Sequence, residues 1–112
     1  MTYEQKRQAY WDAQTEFRRA SIDEIRRLLP PEVDRVIFDV NDDPRLEIVD
    51  LVDAYPVSVI DWKTGATRAG DATLLGTVDR IVRDMDVRDL DEAEKVLSTD
   101  DDGTLYITRD AQ

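Results

Sequence analysis

The chain has 112 residues, 41% of them hydrophobic and 37% charged, with 26 Asp/Glu against 15 Lys/Arg and a formal net charge of −11. That length supports one hydrophobic core, so a single domain over residues 1–112 is expected. The chain contains no histidine and no cysteine, which excludes Ser-His-Asp and Cys-His catalysis, histidine-zinc chemistry, thiolate metal sites and disulfides. Carboxylate-bound Mg²⁺, lysine or tyrosine chemistry, or no chemistry at all are left, and the last is the expectation, with no cofactor.

Residues 2–29 contain neither Pro nor Gly, and Tyr3, Tyr10, Ala13, Phe17, Ala20, Ile25 and Leu28 fall close to one face at helical spacing. The pattern predicts one long amphipathic helix, or two shorter ones if the capping box Ser21-Ile22-Asp23-Glu24 restarts it at Ile22. Pro30-Pro31 ends it either way. Residues 33–40 are rich in β-branched and aromatic side chains, with Val36, Phe38 and Val40 on one face. Asn41-Asp42-Asp43-Pro44 is a turn by composition. Residues 46–52 alternate again, with Leu46, Ile48, Asp50 and Val52 on one face and Glu47, Val49 and Leu51 on the other, completing an antiparallel hairpin.

After Pro56, residues 57–62 read as a third strand and 64–70 as a loop. Asp71 caps a helix in which Leu74, Leu75, Val78, Ile81, Val82 and Met85 form the cleanest apolar stripe of the chain. Asp89 and Glu92 resemble a second capping pair, opening a short helix to Leu97 that packs Leu90, Ala93, Val96 and Leu97. Asp100-Asp101-Asp102-Gly103 then turns the chain into a last strand, with Leu105 and Ile107 on one face. The expected architecture is an α+β domain of order α-β-β-β-α-α-β. It has a small antiparallel or mixed sheet of about four strands, a long N-terminal helix and two further helices.

Charge is unevenly placed along this order. Residues 1–29 carry six Lys/Arg against five Asp/Glu, so the remainder of the chain bears a net −12. From Asp84 to Asp102, nine acidic residues face only Arg88 and Lys95. A field of this sign repels phosphates and anionic headgroups and accelerates encounter with a basic protein surface. Asp84, Asp86, Asp89, Asp91, Glu92, Glu94, Asp100, Asp101 and Asp102 are therefore the candidate partner-binding residues. Trp11 joins them, because it neighbours Tyr10 on the helix and the two cannot share a direction.

Two other motifs carry metal chemistry in other proteins. The segment Val59-Ile60-Asp61-Trp62-Lys63-Thr64-Gly65 resembles the D-x-K end of the PD-(D/E)xK nuclease signature. That resemblance implies an alternative catalytic set of Asp61 and Lys63 with Asp50 or Asp53, holding Mg²⁺ and orienting a hydrolytic water. The sequence lacks the family's Pro-Asp dipeptide, and its net charge opposes duplex binding. The run 98–109 places Asp100, Asp102 and Gly103 at calcium-loop positions, but Arg109 stands where a bidentate glutamate is required, so an Asp-Gly turn is the reading.

The leading functional expectation is a non-enzymatic acidic protein that neutralises a basic protein partner. Its concrete forms are an immunity protein against a nuclease toxin or a nucleic-acid-mimicking anti-defence protein. The alternatives are the nuclease-like domain, active or inactive, and a structural or oligomerisation module built on the first helix. No stretch approaches the roughly 20 apolar residues of a membrane span, and the polar start lacks a signal peptide's apolar segment, so a cytoplasmic location is expected. No direct nucleic-acid or membrane binding is expected.

Overall fold

The computed structural model describes residues 2–61, 66–67 and 73–109. Thr2 opens the first helix, α1 (Tyr3–Leu28), through a reciprocal cap. Its hydroxyl accepts from the Gln5 backbone N–H at 3.2 Å, and the Gln5 side chain accepts from the Thr2 N–H at 3.0 Å. The helix runs unbroken through Ser21, whose hydroxyl donates to the Phe17 carbonyl at 2.8 Å instead of capping a new helix. It ends at Leu29, where the backbone turns extended just before Pro30.

The hairpin forms as its alternation predicts. Strand β1 (Arg35–Val40) pairs antiparallel with β2 (Leu46–Val52). The register steps at a bulge: Ile37 faces Asp50 and Phe38 faces Ile48, which leaves Val49 as the extra residue. Simple alternation therefore fails past Ile48. Leu51, rather than Asp50, shares the core face with Leu46, while Val49 is 43% exposed.

Where a third sheet strand is expected, the chain makes a Val52–Ser58 bridge and a two-residue strand, β3 (Ile60–Asp61). β3 pairs with β4 (Ala66–Thr67) in a small separate ribbon. Two helices follow, α2 (Thr73–Asp84) and α3 (Leu90–Val96). The expected cap at Asp71 lies outside the described residues.

Two strands complete the main sheet, β5 (Ser98–Thr99) and β6 (Leu105–Thr108). The sheet is four-stranded and antiparallel, in the order β2-β1-β6-β5. β5 is too short to show alternation in the sequence; pairing with β6 defines it. Between them Asp100 holds the turn, accepting from the backbone N–H groups of Asp102 and Thr104, both at 2.9 Å. Gly103 occupies the left-handed region there, with φ of 81°.

The three helices among the described residues cover one face of this sheet. Val36, Phe38, Leu46, Leu51, Leu105 and Ile107 meet Ile22 and Ile25 of α1, Val78 and Val82 of α2, and Ala93 of α3 in one buried cluster. The opposite face is open enough that Arg35 lies over the Tyr106 ring, 4.7 Å from its centroid.

The molecule measures 52 × 30 × 27 Å, and α1, about 39 Å long at 1.5 Å per residue, reaches beyond the body. Every residue from 2 to 13 is exposed. The expected burial of the Tyr3–Tyr10–Phe17 stripe is thus corrected: those rings are 76%, 61% and 50% exposed. The side of α1 that enters the core carries Arg18, Ser21, Ile22 and Ile25. The core covers only the part of the helix from Arg18 onward, and it meets a stripe beside the aromatic one.

Candidate functional site

The acidic segment between α2 and β6 is arranged first of all by its own backbone needs. Asp86 takes the left-handed conformation just past the end of α2, with φ of 52°, a position that tolerates Asp because its short side chain avoids crowding. Asp89 caps α3, accepting from the Glu92 N–H at 2.7 Å. Glu92 does not reach back to the Asp89 N–H as in a complete capping box. Its carboxylate accepts instead from the Arg88 N–H at 3.0 Å and pairs with Arg18 at 3.3 Å.

Arg18 ties this segment to α1. Its guanidinium is buried and donates to the Met85 carbonyl at 2.9 Å and the Asp86 carbonyl at 2.7 Å, satisfying acceptors left at the end of α2. A cation at a helix C-terminus is favoured by the helix dipole, and here it also fixes the α2–α3 corner.

These contacts divide the nine candidate acids into two groups. Asp86 (to Arg88, 2.8 Å), Asp89, Glu92 and Asp100 are engaged within the fold. Asp84, Asp91, Glu94, Asp101 and Asp102 are exposed and enter no ion pair among the described residues. The hydrogen bond from Arg88 to Asp86 raises the Arg88 pKa, with their charge attraction adding to it.

The segment is also split in space. Asp86 borders a hollow of about 400 Å³ with Asp43, Arg45, Arg83 and Arg88. Two of those guanidiniums are already paired, Arg83 with Asp79 at 3.0 Å and Arg88 with Asp86. Asp102 instead borders a cleft of about 330 Å³ with Asp39, Ile37, Val49, Leu90 and Thr104.

This second cleft combines features that the sequence does not place together. Val49, on the face of β2 opposite Leu46 and Ile48, is exposed at the bulge, and Leu90, expected in the core, is 50% exposed at the start of α3. Leu90 is the first residue of α3, directly after the Asp89 cap, and stays half-exposed while Ala93, one turn on, is buried. Val49 and Leu90 thus line one cleft together with Asp39 and Asp102. No signal in the sequence marks the bulge; the acidic rim at Asp102 was legible, Asp39 was not singled out.

The residues of the nuclease-like alternative are placed differently from one another. Asp50 accepts from the Leu51 N–H at 2.8 Å and the Ser58 hydroxyl at 2.7 Å. Asp53 accepts from the N–H groups of Tyr55 and Val57, both at 2.9 Å, and so shapes the loop before β3. The Asp61 backbone belongs to β3, and Lys63 lies outside the described residues. Among the described residues, no three acidic side chains gather as a metal site would require.

Trp11 is 44% exposed and packs edge-on against Tyr10, with ring centroids 5.4 Å apart. Tyr10, 61% exposed, lies nearer the surface than Trp11, and both rings reach solvent. No described helix is long and apolar enough to cross a membrane. Comparison of the chain with protein-family models, with curated proteins and with solved structures finds no match in any of the three.

Proposed function

We propose that this chain is a non-enzymatic acidic binding protein that occupies a basic surface on a protein partner. The observation that carries the reading is the cleft beside β1, which exposed Val49 and Leu90 line together with Asp39 and Asp102. Apolar anchors surrounded by charge of one sign suit a partner presenting Arg or Lys around an apolar contact. The apolar part supplies affinity, and the charge selects the partner and speeds encounter. Exposed Asp91, Glu94 and Asp101 flank the residues of this cleft in the chain and extend the negative field.

In this reading the carboxylates take the place of phosphates on the partner's cationic groups. An immunity protein that blocks a nuclease toxin and an anti-defence protein that imitates nucleic acid are the two concrete forms. The test is affinity capture from the source organism, followed by association kinetics with the captured partner across ionic strength. A basic partner is expected, with an association rate falling on the order of 10-fold or more between low and high salt. Asp39→Asn with Asp102→Asn should slow association, and Leu90→Ala should speed dissociation. Association that ignores salt, or is untouched by these changes, would overturn the reading.

A further inference from the structure

The exposed half of α1 carries a pattern that the body of the protein leaves unused. Tyr3, Tyr10 and Phe17 stand seven residues apart, and Lys6, Ala13 and Ala20 occupy the positions three residues after each. These are the a and d positions of a heptad seam, here running over three heptads. The aromatic positions are 76%, 61% and 50% exposed, and Lys6, Ala13 and Ala20 are exposed as well. The seam lies beside the stripe of Arg18, Ile22 and Ile25 that enters the core, so docking on it leaves the fold untouched.

We infer that this seam pairs with the same seam of a second copy in antiparallel orientation. The reason is size complementarity. In an antiparallel pair each a position faces a d position, and one register places Tyr3 against Ala20, Tyr10 against Ala13, and Phe17 against the aliphatic stem of Lys6. All three layers thus join a large ring to a small or flexible side chain. A parallel pair would stack ring on ring and Ala on Ala, alternately overfilling and underfilling the seam.

Charge selects the same orientation. Beyond residue 29 each chain carries a net −12, whereas residues 1–29 carry +1. Antiparallel pairing places the two acidic bodies at opposite ends of a near-neutral junction, and parallel pairing would set them side by side. In the antiparallel register Lys6 also lies beside Glu16 of the facing copy, and Arg7 meets Gln14, so no like charges oppose each other along the flanks.

The area is sufficient for a reversible dimer. An aromatic side chain offers 150–250 Å², so the exposed fractions leave on the order of 400 Å² of ring surface per copy. Two copies, with Ala13, Ala20 and the Lys6 stem, bury roughly 1,000 Å², at the lower limit of specific interfaces. Trp11, packed edge-on against Tyr10, borders the seam and restricts that ring. This dimer is independent of the acidic cleft, which sits on the body of the domain.

Sedimentation of the full chain across concentration tests the inference. The expected result is a monomer–dimer equilibrium. Tyr10→Ala should weaken it by roughly 30-fold or more, and Ala13→Glu should abolish it, with the unfolding transition of the dilute monomer unchanged in both. Because the chain has no cysteine, orientation can be read directly by mixing Tyr3→Cys protein with Ala20→Cys protein under mild oxidation. Antiparallel pairing yields the mixed disulfide in preference to either self-disulfide. A chain that stays monomeric to about 1 mM, leaving the seam for a helix of another protein, overturns the inference. So does a dimer indifferent to Tyr10→Ala and Ala13→Glu, or a preference for self-disulfides.

Discussion

The two halves of α1 differ in almost everything except helical geometry. Residues 3–13 lie wholly in solvent and display Tyr3, Tyr10 and Trp11, whereas from Arg18 onward the helix enters the core and buries an arginine more completely than any of those aromatic rings. The contrast shows that hydrophobicity of a stripe and burial of a stripe are separate facts. A side chain is buried when another element covers it, and only the second half of α1 has β6, α2 and α3 within reach. Arg18 is tolerated inside because two carbonyls and a carboxylate receive its donors.

The largest expected effect separates the two halves by truncation. Ile25→Ala removes a fully buried side chain between helix and sheet and should cost about 2–5 kcal/mol in denaturant unfolding. Tyr3→Ala in the exposed half should stay within about 0.5 kcal/mol for the dilute monomer. Equal losses at both positions would show that the distal half is covered in the isolated chain.

Next in size is the arginine at the boundary. Arg18→Ala strands the Met85 and Asp86 carbonyls and the partly exposed Glu92, with an expected loss of about 2–3 kcal/mol. Neighbouring Arg19→Ala, on the exposed side, should change the unfolding midpoint little. A smaller effect belongs to the corner that Arg18 holds: Asp89→Ala removes the α3 cap and should cost about 1 kcal/mol. Asp89→Ser should restore most of it.

The smallest effect concerns pH. The Glu24 carboxylate, on the proximal half of α1, is hydrogen-bonded by Arg27, and this holds its pKa below the usual 4.5. A depressed folded-state value means that the contribution is complete above about 4.5 and disappears as pH falls through the lower folded value. Thermal unfolding compared between pH 7 and pH 3 should therefore decline slightly less in Glu24→Gln than in the parent chain. The pair is exposed, so the difference is small.

Much of the fold was legible because it follows from local chemistry. The unbroken run before Pro30 specified α1, the β-branched segments specified the β1–β2 hairpin, and the Asp89 cap and the Leu105/Ile107 alternation specified α3 and β6. The apolar stripe of α2 also pointed inward as read, with Val78, Val82 and Met85 buried. The Thr2–Gln5 cap was equally visible in the residues, although the helix start was not read from it. Arg18 could have been found by its spacing of four and seven residues from Ile22 and Ile25.

The cleft was not legible in the same way. The slip in the pairing of β1 with β2 sets Leu51 rather than Asp50 inside, next to the outward Val49, and Leu90 stays half-exposed although the helical pattern groups it with Ala93 and Leu97. The outward side of Val49 follows from alternation, but its meeting with an exposed Leu90 does not follow from any local period. Of the nine acids selected by charge density, four turned out to be occupied by caps, turns and ion pairs. Charge density along a chain does not distinguish a carboxylate serving the backbone from one open to a partner.

By itself, then, the sequence determined the sign and uneven placement of the charge, the absence of histidine and cysteine chemistry, and the identity of the principal helices and longer strands. Those properties depend on composition or on contacts only a few residues apart. Tertiary structure alone decided which side of α1 was covered, that Arg18 went inside while three aromatic rings stayed out, and where apolar and acidic residues met in one cleft. The physical reason is that each of these depends on surfaces brought together from positions distant in the chain, where packing and shared hydrogen bonds override local pattern.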